Sequence, residues 1–132
     1  MNRMKPLITT LSASLFFPLL AAAATPQEQL ATYVQNAGGR ADASAGQAFF
    51  NAKHGRDWSC ATCHSATPTV SGKHATTSKA ITPLAPSADA ARFNDVAKTE
   101  KWFRRNCNDV VGRECSAAEK ANVLAWLISL KP

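Results

Sequence analysis

Residues 60–64 read Cys-Ala-Thr-Cys-His. No other stretch constrains the fold as much, because C-x-x-C-H is the spacing of covalent c-type haem attachment. Two thiols three residues apart add across the two vinyl groups of the porphyrin and become thioethers. The imidazole follows at once because it must reach the iron from the tethered side, and a proximal His is a standard iron ligand. A zinc half-site would want a second close ligand pair, and Cys107 and Cys115 stand too far apart for that pattern. A thioredoxin-like pair would want a preceding strand and a βαβ context, which the sequence lacks. The motif therefore predicts one covalent haem c, bound through Cys60, Cys63 and His64.

The chain opens with an export leader. Asn2-Arg3-Met4-Lys5 is a short basic start, Leu7 to Leu20 is apolar, and Ala22-Ala23-Ala24 fits an A-x-A cleavage site. The apolar core falls short of the ~20 residues a membrane span needs, and it contains Pro18. Residues 1–24 thus read as a signal peptide and residues 25–132 as the cytochrome domain, delivered to the periplasm with no membrane span. Removing Arg3 and Lys5 lowers the formal net charge from +6 to +4. Both methionines, Met1 and Met4, leave with the leader. The His/Met ligation of ordinary electron-carrying cytochromes c is then excluded. Export also places Cys107 and Cys115 where a disulfide can persist.

The rest of the chain is patterned for helices. Thr25-Pro26-Gln27-Glu28 is a capping box with Pro at the first helical position. Leu30, Tyr33, Val34 and Ala37 follow at helical spacing, and Gly38-Gly39 stops the run. Ser44 is expected to open a second helix with Ala48, Phe49 and Ala52 on one side, ending by Gly55. Ser65 to Pro86 is rich in Thr, Ser and Pro without a period. It is expected to wrap the haem, lined by Ile81, Pro83 and Leu84, with the Pro83 carbonyl accepting from the free ring nitrogen of His64. Asn94 or Asp95 caps a stronger helix from Val96 to about Asp109, where Thr99, Phe103, Asn106 and Val110 share one face. Ser116-Ala117-Ala118-Glu119 is another capping box. It opens a helix with Ala121, Leu124, Leu127 and Ile128 inward and Val123, Trp126 and Leu130 widening the apolar face. No strand pattern is visible, and the predicted class is all-α.

The far side of the iron is open to several readings: His54, His74, Asn106, a Lys, water or nothing. His54 lies in a polar stretch and reads as a surface residue. His74 sits in the polar segment Ser71-Gly72-Lys73-His74. Asn106 is polar yet lies on an apolar helix face beside Phe103, where a buried polar group needs a partner.

Three runs carry a resemblance: Ala91-Arg92-Phe93-Asn94-Asp95, Glu100-Lys101-Trp102-Phe103-Arg104-Arg105-Asn106-Cys107, and Asp109-Val110-Val111-Gly112-Arg113-Glu114-Cys115. With Lys79 to Pro86, these resemble the sphaeroides haem protein family of small periplasmic class I c-type cytochromes. The resemblance spans nearly the whole chain after the leader. It implies a class I cytochrome c-like helical fold around one haem. It implies that Asn106, just before the first Cys, is the distal ligand, and that Cys107 and Cys115 form a disulfide. A methylotroph relative, cytochrome c-double-prime, has His at the corresponding position, so the Asn here is similar to the oxygen-binding branch. An amide oxygen is a weak ligand that favours ferric iron. On reduction it should leave, opening a site for O2, NO or CO.

The function expected is electron uptake at a His64/Asn106-ligated haem, followed by binding of a small diatomic ligand. The alternative is a simple electron carrier, and turnover of O2 or NO by a true enzyme is the further rival; no catalytic residue is assigned. In the resembled family, electrons come from a dihaem cytochrome c and a membrane cytochrome b. Lys98, Lys101, Arg104 and Arg105, near Arg92 and Arg113, are either a solvated face or a dock for an acidic redox partner. The small positive excess of an exported haem protein gives no reason to expect nucleic acid.

Overall fold

Local capping chemistry sets most of the helix boundaries. In a computed structural model that describes Met1 and residues 23–132, Thr25 starts helix α1 (Pro26–Ala37) by accepting from the Glu28 backbone N–H, while the Glu28 carboxylate accepts from the Thr25 N–H at 2.7 Å. Residues 2–22 of the expected leader lie outside the described residues. Helix α2 (Ala43–Asn51) is capped by Asp42, whose side chain accepts from the N–H groups of Ser44 and Ala45. It thus begins one residue before Ser44, because Asp42 is the better cap, and it ends at Asn51, where Ala52 turns to an extended conformation. Helix α3 (Cys60–His64) is capped by Ser59, helix α4 (Val96–Val110) by Asp95 and helix α5 (Ala117–Ser129) by Ser116. The capping boxes at Thr25 and Ser116 form as their sequences predict.

The core is a helical stack centred on α5. Its Ala121, Val123, Leu124, Trp126 and Leu127 are all buried. Phe50 of α2 joins Val123, Trp126 and Leu127 in one cluster. Tyr33 of α1 joins Ala121 and Leu124 in a second. Complete burial of a side chain such as Phe50 or Leu124 contributes about 1.5–3 kcal/mol. Burial in α2 falls on Gly46 and Phe50 rather than on Ala48 and Ala52, which are exposed. The reason is the crossing with α5: a Cβ added at Gly46 would stand 2.0 Å from the Asn122 carbonyl oxygen. Only glycine lets the two backbones meet so closely, and that contact chooses the face α2 presents.

Two short strands depart from the all-helical expectation. β1 (Gly72–Lys73) and β2 (Ala80–Ile81) pair antiparallel, with Gly72 opposite Ile81 and Lys73 opposite Ala80. Two residues a side are too few to show an alternating sequence pattern. The hairpin matters by its position. A Cβ at Gly72 would lie 2.0 Å from the carbonyl oxygen of Cys63, so β1 is pressed against the end of α3. Among the described residues no helix is long and apolar enough to cross a membrane.

Candidate haem site

The five residues of α3 make little more than one helical turn, and that turn does the positioning. Residues three and four apart share a helix face. Cys60, Cys63 and His64 therefore point to one side. Ser59 holds the start of the turn by accepting from Thr62 N–H, while the Thr62 hydroxyl accepts from the Ser59 N–H at 3.0 Å. Cys60 and Ala61 pack against the Phe50, Val123, Trp126 and Leu127 cluster. The His64 ring lies 6.3 Å from the Phe50 ring, centre to centre.

These groups fit a covalent haem. Both thiols are free, and burial pushes the Cys60 thiol up to about 11, so it remains protonated. Burial pulls the His64 imidazole down to about 4, with the Arg92 guanidinium adding to the effect. The ring is therefore neutral at physiological pH, which is the form that binds iron. Its Nδ1 is buried and has no hydrogen-bond partner. A buried nitrogen without a partner is costly, and a neutral ring with no competing bond is one available to a metal. Zinc fits less well. Cys107 and Cys115 are bonded to each other, and among the described residues no group of three or more His, Cys, Asp or Glu side chains gathers.

The structure corrects the expected partner of His64. The Pro83 carbonyl accepts from Arg92 Nε at 2.8 Å. The same guanidinium donates to the Thr82 carbonyl at 2.8 Å and to the Thr82 hydroxyl at 2.7 Å. Arg92 thus ties down the loop that includes Ile81, Pro83 and Leu84, and Leu84 packs on the Phe50 cluster. Nothing in local sequence marks Arg92 for this work; the two carbonyls it ties down lie nine and ten residues away and are backbone atoms.

The distal candidates separate once their surroundings are seen. His54 is not a plain surface residue: its Nε2 bonds the Phe49 carbonyl at 2.8 Å, and its ring lies 4.2 Å from the Phe49 ring. His74 is engaged within its own turn, where Nδ1 accepts from Thr77 N–H at 3.2 Å. Asn106 is half-buried and lies on the inner face of α4 with Thr99, Phe103 and Val110. Phe103, one turn earlier, packs against both core clusters. Asn108 ties its amide back to the Arg104 carbonyl at 2.8 Å, whereas Asn106 makes no such local bond. The disulfide between Cys107 and Cys115 fastens the end of α4 to the start of α5. A polar clamp fastens its beginning: Glu100 accepts from the Tyr33 hydroxyl of α1 and, at 2.7 Å, from Lys120 of α5.

Comparison with known proteins places this chain among relatives of c-type cytochromes. Residues 36–127 match a family described as a domain of unknown function, DUF1924. The chain is 48% identical over 121 residues to the cytochrome c-type protein SHP of Cereibacter sphaeroides, covering 89% of this chain and 93% of that protein. It is 43% identical over 88 residues to cytochrome c'' of Methylophilus methylotrophus, covering 64% of this chain and 61% of that protein. The structure of oxidised SHP, described as an oxygen-binding cytochrome c, superposes with a TM-score of 0.77 at 46% identity, covering 82% of this chain and 99% of that one. Oxidised cytochrome c'' superposes with a TM-score of 0.74 at 33% identity, covering 81% and 95%.

Proposed function

This chain belongs to the DUF1924 family, with SHP and cytochrome c'' as homologues, and on that footing we propose that it is a periplasmic monohaem cytochrome c that takes up an electron and, once reduced, binds a small diatomic ligand. The observation that carries the reading is Asn106: a carboxamide on the apolar inner face of α4, with no local bond to hold it, between Phe103 and the bridged Cys107. When bound, the haem supplies a redox-active iron with a coordination position for O2, NO or CO.

The residues divide the rest of the work. Cys60 and Cys63 fix the porphyrin to α3 as thioethers. His64 supplies a neutral imidazole, kept so by burial. Asn106 would offer its amide oxygen to the ferric iron of a bound haem. An amide oxygen is a weak ligand that favours ferric iron, and the Asn106 NH2 group would be a hydrogen-bond donor for a diatomic ligand. Distal donors of this kind decide ligand binding. The polar clamp at Glu100 and the bridge at Cys107 hold the two ends of α4, so any movement of Asn106 is confined to the side chain and its turn. Residues 1–24 act as the leader that brings the chain to the periplasm. Electrons arrive from another cytochrome, by likeness to the family a dihaem cytochrome c or a membrane cytochrome b.

Asn106→Ala tests this directly. The expected result is a five-coordinate or water-ligated ferric spectrum and a higher reduction potential, because the lost ligand favoured the oxidised state. An unchanged ferric spectrum rejects Asn106 as a ligand. Mixing the reduced protein with O2 in a stopped-flow instrument separates the ligand binder from the simple electron carrier. An oxygenated spectrum supports the first, and slow oxidation with no such spectrum leaves the second.

A further inference from the structure

Trp102 is among the few large apolar side chains left in water, at 43% exposed. It lies on α4 together with Lys98, Lys101 and Arg105, positions spaced 3, 1 and 3 residues apart. That spacing places all four on one stripe, which flanks the inner face of the helix: Trp102 stands three residues after Thr99 and four before Asn106. Lys101 Nζ is 6.0 Å and the Arg105 guanidinium 5.5 Å from the Trp102 ring centre, within reach of the ring's negative face.

Ion pairing singles out the same stripe. Of the cations that the sequence placed in one basic cluster, Arg104 pairs with Glu114 at 3.7 Å, Arg113 with Glu119 at 2.7 Å and Arg92 with Asp89 at 3.3 Å. Lys120 pairs with Glu100 at 2.7 Å. Among the described residues, Lys98, Lys101 and Arg105 have no carboxylate within ion-pair range. The positive charge of this region thus gathers around one exposed tryptophan. At its C-terminal end the stripe meets a hollow of about 280 Å³ lined by Asp109, Gly55, Arg56, Asp57 and Trp58. Trp58 is also exposed, at 38%, and stands two residues before Cys60. The stripe therefore leads along the flank of the helix carrying Asn106 to the segment that enters α3.

We infer that the outer face of α4, centred on Trp102 and bordered by Lys98, Lys101 and Arg105, docks an acidic redox protein that exchanges an electron with the haem. Tryptophan and arginine are the residues that most often dominate interfaces. Unpaired cations around an apolar centre steer an acidic partner by long-range attraction and then hold it in register. Trp102 lies one turn before Asn106 on α4, about 6 Å along the helix axis. The inference rests on the redox reading of the preceding subsection, so haem content and the CO difference spectrum of each variant are measured first. Colourless protein would remove that reading before docking is asked about.

The probe is reduced flavodoxin, an acidic flavoprotein, compared with a neutral hydroquinone as a small reductant. Rates of haem reduction are followed by stopped flow from low to high ionic strength. For Lys98→Gln/Lys101→Gln/Arg105→Gln we expect the flavodoxin rate to fall about tenfold at low salt and its salt dependence to flatten. The hydroquinone rate, haem spectrum and reduction potential should stay as in the parent. Trp102→Ala should slow flavodoxin while keeping the salt slope. The matched triple Arg40→Gln/Lys53→Gln/Lys131→Gln, which removes as much charge at exposed positions elsewhere, should change little. If the two triple variants react alike with flavodoxin, the effect is general charge and the docking face is rejected. A flavodoxin rate untouched by both the α4 triple and Trp102→Ala rejects it equally.

Discussion

Gly46→Ala should destabilise this protein, although the same change in an ordinary helix interior stabilises by about 1 kcal/mol. The sign reverses because of one crossing. An added Cβ would lie 2.0 Å from the Asn122 carbonyl oxygen, 2.3 Å from its carbon and 2.8 Å from the Val123 nitrogen. All three are backbone atoms of α5, so no side chain can swing away. Relief requires α2 and α5 to separate by about 1 Å or more, since the contact begins far inside van der Waals range. Such a shift would loosen Phe50 from Trp126, whose rings now lie 5.0 Å apart. Overpacking costs about 1–3 kcal/mol, and the upper end applies where backbone meets backbone. Set against the helix-propensity gain, the net loss is about 2 kcal/mol, or roughly 10 °C in Tm for a domain of this size. Guanidinium denaturation followed by far-UV circular dichroism and the Soret band measures it, with exposed Ala48→Gly as a propensity control. The variant should also perturb the haem spectrum, because Phe50 lies beside His64. A Gly46→Ala protein as stable as the parent, or more so, would show that the helices part freely there and refute the reasoning.

Three further outcomes are expected. Cys107→Ser/Cys115→Ser opens a loop whose ends are 8 residues apart in sequence, and should cost about 2–3 kcal/mol by chain entropy; it should also loosen the end of α4, read as a broadened ferric spectrum, and an unaltered denaturation midpoint would count against the bridge as a staple. Glu119, held down to about 2 chiefly by the Arg113 guanidinium against a smaller opposing effect of burial, contributes stability that is complete above about pH 4.5 and is lost as pH falls toward 2. Glu119→Gln can keep the capping-box bond but loses the charge that pairs with the exposed Arg113; it should therefore be less stable near neutrality by up to about 1 kcal/mol and should lose less on acidification, and parallel stability curves for the two proteins over that pH range would contradict this. Cys60→Ala/Cys63→Ala should leave the chain without attached haem and largely unfolded by circular dichroism, and a folded colourless product would show that the helices alone make a sufficient core.

Much was legible in the chain itself, and the reason is that its signals are local. C-x-x-C-H places three groups on one turn by spacing alone. Thr25, Asp95 and Ser116 cap their helices with atoms only two to four residues away, so a linear reading finds them. The inner faces of α4 and α5 follow from helical period, and the place of Asn106 beside Phe103 follows with them. Tertiary structure decided what depends on residues distant in sequence. Gly46 meets Asn122 and Gly72 meets Cys63, and those two close approaches select the buried face of α2 and seat the hairpin against the haem motif. Arg92 reaches backward to the Thr82 and Pro83 carbonyls, atoms that every residue carries and no sequence marks. The basic run of α4 looked uniform; only folding brought Glu114 to Arg104 and Glu119 to Arg113 and left Lys98, Lys101 and Arg105 around Trp102. Charge and period are written residue by residue, but which charges are neutralised and which backbones touch depends on where the chain returns.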